Sequence, residues 1–475
     1  MPIFELELNG PNVIAETERT GKARSLFWPW AGANVSLLAL SYGAFFLGFG
    51  VSFRQATYAA IIGTVLSFLV VGISSLAGKK SNAPTMILSR AAFGVKGNII
   101  PGALSYLIFV GWETVLVSLS TLATGTVFTR VGHINHNAAL ILGFLVAVSI
   151  TVFGGVLGFS TIMKIQKWLT LITIVMTVIY IALTIHNVNW SAVNAIKDGS
   201  SQAFIGALVF GITGIGLGWV NSAADYSRYL PRTVSSKAVV SWTVIGASIV
   251  PIILVIYGSA LAGSSKALSD AITVDPIGAL TTLLPTWFLI PFALVAVLGL
   301  VGGAILDLYS SGLTLVSIGL PVKRHIAASI DAMIMLAGSI YFVWIADNFF
   351  FPFQGFLITL GVPVAVWSAI FAADVIVRKE AYSERDLFDA TGRYGAWNIK
   401  SISLMVVGTI IGWGFVTNTF AGWLSWQGYF LSAIGGKQGP WAYANIGVIF
   451  ALAIGFFGHL LLAKERIARQ ERHSS

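Results

Sequence analysis

The 475-residue sequence contains no cysteine and few charged residues. The lack of cysteine excludes disulfide bonds and every metal or redox site built on thiolates. Only 10% of the residues are Asp, Glu, Lys or Arg, whereas 56% are hydrophobic, and the mean hydropathy is +0.84. Soluble domains carry about 25% charged residues. The composition therefore indicates an all-α membrane protein with many spans.

Sequence motifs for catalysis are also missing. We find no Gly-rich phosphate loop, no histidine cluster with metal-ligand spacing and no nucleophile-histidine-acid set. The six histidines lie mostly in loops or at the ends of apolar segments. We therefore expect no enzymatic activity, no metal and no cofactor. The polar residues up to Arg24 lack the apolar core of a cleavable signal peptide, so the first apolar segment is expected to direct membrane insertion.

Twelve apolar segments divide the sequence. A helix needs about 17 to 25 apolar residues to cross a bilayer, and each segment is long enough. The eighth is longer than necessary and is expected to tilt or to include a re-entrant turn. The segments are 28–51, 57–77, 99–124, 138–158, 162–185, 203–224, 238–262, 287–320, 327–345, 349–373, 401–420 and 443–463.

The basic residues separate by side of the membrane. With twelve spans the connecting stretches alternate sides, and 23 of the 28 Lys and Arg residues fall on the side of both termini, against 5 on the other. Positively charged loops stay in the cytoplasm. Both termini are therefore expected inside, with the chain in the inner (plasma) membrane. Topology accounts for the net charge of +9, so no nucleic-acid partner is expected.

The sixth segment carries an unusual concentration of glycine. Glycine weakens a helix, and irregular backbone at membrane depth is tolerated only where protein buries it or a cavity hydrates it. A break in this segment therefore indicates a binding site, with Trp219 at its end. The glycines are Gly211, Gly214, Gly216 and Gly218.

The first segment contains a second candidate break, at Ser41, Tyr42 and Gly43. Close helix packing through glycine would also explain this pattern. The two interrupted segments are five apart, which is the spacing of an inverted repeat whose broken helices meet at the midplane. We predict a tail at 1–27, repeats at 28–186 and 203–373, a cytoplasmic loop at 374–400, two peripheral helices at 401–463 and a tail at 464–475.

Two acidic residues lie deep inside predicted spans, Glu113 in the third and Asp307 in the eighth. An acid at the bilayer centre is costly, by about 2.5 to 3.5 kcal/mol on insertion scales, and indicates a functional site by default. The third and eighth spans are equivalent in the predicted repeat. Asp225, beside Arg228, and Asp331, near the start of the ninth span, are instead expected to be structural.

Four sequence blocks carry a family resemblance. Asn-Ala-Pro-Thr-Met-Ile-Leu-Ser-Arg-Ala-Ala-Phe-Gly follows the second segment, Gly-Trp occurs at 111–112 and 218–219, Ala-Asp-Tyr-Ser-Arg-Tyr-Leu-Pro spans 224–231, and Asp-Leu-Tyr-Ser spans 307–310. Together they resemble the nucleobase:cation symporter-1 family of cytosine, purine, allantoin, hydantoin and pyrimidine-precursor permeases. The resemblance implies a leucine-transporter-like fold of twelve helices, with two inverted five-helix repeats, broken helices 1 and 6, and two peripheral helices.

The resemblance also implies a substrate site. In that family a flat heterocycle lies between aromatic rings of the third and sixth spans, here Trp112 and Trp219, next to Gly218. The family often has an amide one turn after the first tryptophan and an Asn in the eighth span, where this sequence has Leu116 and Asp307. A protonated carboxyl of Asp307 or Glu113 would offer one donor and one acceptor to the amidine edge of cytosine or adenine.

A further difference between this sequence and the family pattern concerns the coupling ion. The family's sodium site uses hydroxyls in the eighth span, but the corresponding stretch, 299–304, has none. We therefore favour proton coupling through Asp307 or Glu113, with sodium still possible. Burial in apolar surroundings would suit either acid to this role.

The resulting hypothesis is a secondary active symporter that imports a nucleobase by alternating access. Ser41, Tyr42 and Gly43 would add contacts to the planar heterocyclic substrate. Within the family, the alternatives are a sodium-coupled carrier or a vitamin-precursor, allantoin or hydantoin permease. A channel is the alternative class, although it would need a continuous polar stripe on several helices. The protein is expected to be a monomer or a weak oligomer.

Overall fold

The computed structural model describes residues 13–155, 159–318, 324–418 and 422–472. The predicted segments 138–158, 287–320 and 401–420 and both tails extend outside these ranges. The described residues form helices and contain no strand. The α-helices are α1 (Phe27–Asn34), α2 (Leu38–Leu47), α3 (Phe53–Lys79), α4 (Thr85–Leu88), α5 (Arg90–Phe93), α6 (Ile99–Gly132), α7 (His136–Gly155), α8 (Phe159–Thr184), α9 (Trp190–Ala195), α10 (Ser201–Gly211), α11 (Ala223–Ser227), α12 (Ser236–Ser264), α13 (Lys266–Val274), α14 (Thr286–Ser317), α15 (Arg324–Ile340), α16 (Phe350–Val377), α17 (Ile399–Gly414), α18 (Gly447–Leu462) and α19 (Lys464–Arg472).

Eight helical stretches in the described ranges are long and apolar enough to cross a membrane. Two bent pairs add to them: α2 with the helix before it, at 69°, and α18 with α19, at 52°. Two shorter apolar helices, Ser329–Ile345 and Ile399–Gly414, occupy the ninth and eleventh predicted positions. Together, the eight long stretches, the two bent pairs and the two shorter helices coincide with the twelve predicted segments. The number of these helices that span the bilayer stays a prediction.

The first span is interrupted earlier than predicted, at residues 35–37 between α1 and α2. Ser41 and Gly43 lie within α2. Gly43 serves close packing, because a Cβ placed on it would lie 2.0 Å from the backbone nitrogen of Ser259 in α12. At the actual break, the Ser36 hydroxyl accepts a hydrogen bond from the Leu38 nitrogen at 3.2 Å, which satisfies a backbone donor freed by the interruption.

The sixth span is irregular over its glycines. α10 ends at Gly211, a π-helical turn covers Ile212–Gly216, a 3-10 turn covers Leu217–Ser222, and α11 follows. Gly216 approaches α3 so closely that a Cβ on it would lie 2.1 Å from the Ser67 hydroxyl. The whole stretch Ser201–Ser227 still runs as one span without the sharp bend of the first.

Helices that are equivalent in the predicted repeat pack in pairs. The third span, α6, lies along the eighth, α14, and the second, α3, lies along the seventh, α12. α16 packs against α3 and α6 of this group and also against α18. The arrangement agrees with two five-helix units and two peripheral helices, whose exact limits stay predictions.

Polar contacts join segments that were predicted on the same side of the membrane. Arg19 donates to the Ser81 carbonyl at 2.7 Å, and Arg378 pairs with Asp374 at 3.0 Å while donating to Gln470 of α19. These segments all belong to the predicted cytoplasmic side.

On the opposite side, Ser52 and Arg54 bind Asp198 at 2.5 and 2.6 Å. The hydrogen bond from Ser52, together with Arg54, lowers the pKa of the Asp198 carboxyl. The two groups of loops therefore form separate polar clusters at opposite ends of the helices.

Candidate binding site

A cavity lies between the first, third, sixth and eighth spans, and the centre of a water molecule can reach about 100 Å³ of it. Small-molecule sites are concave and mostly apolar with a few polar groups, and the lining of this cavity fits that description. Its wall is formed by the interruption before α2, one face of α6, the irregular turns after α10 and the middle of α14. Five of the predicted site residues line it: Tyr42, Trp112, Gly218, Trp219 and Asp307.

The two tryptophans are half-buried and are each held by other aromatic rings. Trp219 makes an edge contact with Trp30 at 6.2 Å between centroids, and Trp112 makes one with Phe353 at 5.6 Å. Within the described part of the chain the two indoles make no ring contact with each other. Gly218 lies beside Trp112, where a Cβ would be 3.5 Å from the indole nitrogen. Aromatic edges thus fix both rings while the cavity adjoins each of them.

Two acceptor groups in the cavity wall have no partner. Asp307 is 5% exposed, and no described residue donates a hydrogen bond to its carboxyl group. Asn221 is buried, and its side-chain oxygen likewise has no partner. An unpaired buried acceptor costs free energy, about 1 to 3 kcal/mol, unless a ligand or water pairs with it. Both residues line the same cavity, so one ligand could reach both.

Three of the predicted site residues lie outside the cavity wall. The Ser41 hydroxyl donates to the Pro276 carbonyl at 2.5 Å, so it is engaged by a loop. Gly43 accepts a hydrogen bond from the Ser259 hydroxyl at 3.3 Å, in the helix contact with α12. Glu113 is fully buried behind the wall, and neither of its carboxyl oxygens has a hydrogen-bond partner. Asp307 and Asp331 are near enough to act on Glu113 electrostatically.

The two acids expected to be structural differ in their surroundings. Asp225 accepts two hydrogen bonds of 2.8 Å from the backbone nitrogen and hydroxyl of Thr85, and so ties α11 to α4. Asp331 is fully buried and accepts a 2.8 Å bond from Ser311 in α14. The contact of Asp225 is structural, as expected, although its hydrogen bonds come from Thr85 of another helix. Asp331 was also expected to be structural, and it lies near Glu113.

Sequence reasoning missed Asn34 and Asn221 in the cavity wall. Each lies at an interruption: Asn34 ends α1, and Asn221 lies in the 3-10 turn two residues after Trp219. Polar side chains next to a helix break inside a membrane are the signal that could have identified them.

The chain matches a known family over most of its length. A sequence profile described as "Permease for cytosine/purines, uracil, thiamine, allantoin" covers residues 13–433. The chain belongs to this family. The resemblance found in the sequence blocks is therefore confirmed, and the protein is a membrane permease rather than an enzyme.

Relatives of the permease share low but extended identity. It is 25% identical to the putative purine-cytosine permease YxlA of Bacillus subtilis, over 97% of this chain and 98% of the relative. It is 22% identical to the purine-cytosine permease FCY2 of Saccharomyces cerevisiae, over 95% and 87% of the two chains.

Solved structures confirm the fold class. The permease resembles Mhp1, a nucleobase-cation-symport-1 family transporter solved closed with bromovinylhydantoin bound, with a TM-score of 0.68, 17% identity and coverage of 99% and 100% of the two chains. It also resembles a Na⁺-coupled sialic acid symporter, with a TM-score of 0.52, 12% identity and coverage of 93% and 95%. At these identities the likeness concerns the fold alone.

Proposed function

We propose that the permease imports a nucleobase, such as cytosine or a purine, together with a proton, by alternating access around the cavity. One observation carries the proposal: two separately held indole rings share a single cavity with the carboxyl group of Asp307 and the unpaired side-chain oxygen of Asn221. A flat ring with hydrogen-bond donors at its edge suits this combination. The names of the related purine-cytosine permeases support the same substrate class.

The tryptophans would supply most of the affinity. Stacking of a base on an aromatic side chain is worth about 1 to 3 kcal/mol. Because Trp30 and Phe353 already hold the two rings, little entropy is lost on binding. Trp112 and Trp219 would therefore enclose the heterocycle, with Gly218 leaving space for it to approach the Trp112 ring.

The acceptor groups would select the substrate. A protonated Asp307 would donate one hydrogen bond and accept another from the amidine edge of cytosine or adenine. The oxygen of Asn221 would accept from a ring N–H or an exocyclic amine. A ligand lacking these donors would leave the Asn221 oxygen unpaired, which supports selectivity over apolar aromatic compounds.

Proton coupling is favoured by the chemistry of α14. Its stretch 299–304 contains no hydroxyl, whereas Asp307 lies one or two turns further along. Sodium coupling is the second candidate, because the Thr173 hydroxyl of α8 lies near Gly299, 3.7 Å from a Cβ placed there. That hydroxyl could supply an oxygen ligand that α14 lacks.

Uptake into proteoliposomes tests substrate and ion separately. Purified permease would be given labelled cytosine, adenine or hypoxanthine under an inward proton gradient or an inward sodium gradient. We expect accumulation under the proton gradient and none under sodium alone. Accumulation driven by sodium and unaffected by the proton gradient would contradict proton coupling. Competition by allantoin, hydantoin or hydroxymethylpyrimidine would reveal the alternative substrates.

The absence of cysteine makes the proposed topology directly testable. Single cysteines introduced by Lys437→Cys and Lys266→Cys should react with an impermeant maleimide added outside cells. Asp389→Cys and Glu465→Cys, on the proposed cytoplasmic side, should react only after the membrane is opened. The reverse pattern would contradict cytoplasmic termini in the inner membrane.

A further inference from the structure

Behind the cavity wall, three helices bring together a buried group of acids and hydroxyls. Glu113 of α6 and Asp331 of α15 are both fully buried, and Ser311 of α14 lies between them. The Ser311 hydroxyl donates to Asp331 at 2.8 Å and also faces Glu113. The hydroxyl of Tyr106, two turns before Glu113 on α6, faces Asp331 from the other side.

Parts of this group are unpaired. Four buried polar atoms lack hydrogen-bond partners among the described residues: both carboxyl oxygens of Glu113, one carboxyl oxygen of Asp331 and the hydroxyl oxygen of Tyr106. Buried polar atoms are normally paired, so each unpaired atom needs an explanation. Side chains that transfer a proton must include an acceptor that has no hydrogen-bond donor at some stage of the transfer. A purely structural network has no such requirement.

Among the side chains that the structure describes, no basic group lies beside Glu113 or Asp331. The groups near Asp331 are Tyr106 and Glu113 from α6 and Ser311 from α14, and Asp307 of α14 lies near Glu113. α7, which also packs on α15, has no ionisable residue except His136 at its far end. Unpaired buried charges are costly, and neighbouring carboxylates cannot all ionise, so the acids must share protons.

A metal ion does not account for the group. The described residues contain no cluster of three His, Cys, Asp or Glu side chains placed to hold one. A proton is a ligand that buried carboxyl and hydroxyl groups can exchange.

These side chains are also arranged in order from the cavity toward the side of the membrane that is predicted to be cytoplasmic. Asp307 and Glu113 lie at the level of the cavity. Ser311 is one helical turn further along α14, toward the end predicted to be cytoplasmic, and Tyr106 is two turns toward the same side on α6. Asp331, which both hydroxyls face, is in the first half of α15 on that side.

We propose that Ser311 and Asp331 form the inward route of the coupling proton, with Asp331 as the site of its release to the cytoplasm. This inference rests on the proposed proton symport and adds its exit path. In the step, the Glu113 side chain moves into hydrogen-bond distance of Ser311 and its carboxyl gives a proton to the Ser311 oxygen, while the proton of Ser311 moves to Asp331. Glu113 becomes a carboxylate, Asp331 becomes a carboxylic acid, and Ser311 stays neutral. Asp331 then gives its proton to water that enters from the cytoplasm.

Two transport assays separate this route from substrate binding. Net uptake requires proton release inside, whereas exchange of labelled for unlabelled substrate at equal concentrations does not. For Asp331→Asn we expect net uptake and substrate-driven proton entry to fall at least about tenfold, with exchange retained. Ser311→Ala should slow net uptake in the same way, and Ser311→Thr, which restores a hydroxyl, should recover it.

Ser339→Ala is the matched control. Ser339 is also buried on α15, but its hydroxyl donates only to the Thr114 backbone carbonyl, at 3.3 Å. It should leave both assays unchanged.

The results distinguish the two proposals. If wild-type permease transports without substrate-driven proton entry, the proposed proton symport itself is wrong. If wild type couples to protons but Asp331→Asn and Ser311→Ala do so equally well, the route is wrong and the symport stands. Loss of exchange in parallel with net uptake in Ser311→Ala, without recovery in Ser311→Thr, would also overturn the route, because it would mark a structural role.

Discussion

The Tyr42 hydroxyl of α2 donates a hydrogen bond of 3.1 Å to the Gly214 carbonyl in the π-helical turn of the sixth span. The bond joins the two irregular spans next to the cavity, which Tyr42 and Gly214 both line. It connects equivalent elements of the two predicted repeats, so a change in either span would act on the other.

Tyr42→Phe should weaken this connection. The substitution removes only the hydroxyl, and a typical hydrogen bond contributes about 0.5 to 1.5 kcal/mol to the free energy of unfolding. We expect a lower unfolding temperature of the purified permease in detergent. Tyr58→Phe, at a side chain 54% exposed on α3, is the control and should not change it. Equal unfolding temperatures for wild type and Tyr42→Phe would show that the bond contributes nothing.

Loss of either stacking ring should weaken substrate binding. We expect Trp112→Ala and Trp219→Ala each to raise Kd about 5- to 150-fold, which corresponds to about 1 to 3 kcal/mol of stacking. Phe at either position should retain part of the affinity. Equilibrium binding of labelled cytosine or adenine measures the effect. Trp423→Ala, at a side chain 76% exposed, should bind like wild type, and an unaffected Trp219→Ala would remove this ring from the site.

Asn221 should determine selectivity as well as affinity. Asn221→Ala removes the unpaired acceptor, so we expect Kd to rise by about 2- to 12-fold, the worth of one hydrogen bond. Wild type should reject substrates whose donor nitrogen is methylated, and the variant should discriminate against them less. Competition with matched methylated and unmethylated bases measures this ratio. An unchanged ratio would mean that Asn221 does not face the substrate.

Asp307 and Glu113 should differ in function because only Asp307 lines the cavity. Asp307→Asn should impair both binding and proton coupling, whereas Glu113→Gln should retain binding and lose accumulation against a gradient. Binding, exchange and net uptake of one labelled base distinguish the two variants. Normal proton-driven uptake in both would contradict coupling through these acids.

The contact between α2 and α12 should tolerate no side chain. A Cβ on Gly258 would lie 1.8 Å from the Leu40 carbonyl oxygen, so Gly258→Ala must separate the helices and should destabilise the fold by about 1 to 3 kcal/mol. Gly312→Ala is the matched control. A Cβ there meets nothing within 4 Å, and alanine favours a helix by about 1 kcal/mol. Thermal unfolding should rank Gly258→Ala below wild type and Gly312→Ala at or above it.

The sequence predicted the helical segments and the irregular sixth span well because both follow from local composition. Long apolar runs must become helices in a bilayer, and four glycines weaken one particular stretch. The position of the first break was wrong for the opposite reason. Gly43 resembles a helix breaker locally, but its role is decided by the backbone of Ser259, a partner more than two hundred residues away.

The sequence by itself determined the membrane class and the family, and it predicted the separation of charged loops and three residues that line the cavity, Trp112, Trp219 and Asp307. These depend on residue type and spacing along single segments. Only the tertiary structure decided that Asn221 lines the cavity, that Ser41 is engaged by a loop, and that Glu113 lies behind the wall. It also placed Asp331, which the sequence predicted to be structural, beside Ser311 and near Glu113. The physical reason is that a helix presents its side chains all round, and only the packing of neighbouring helices determines which of them meet.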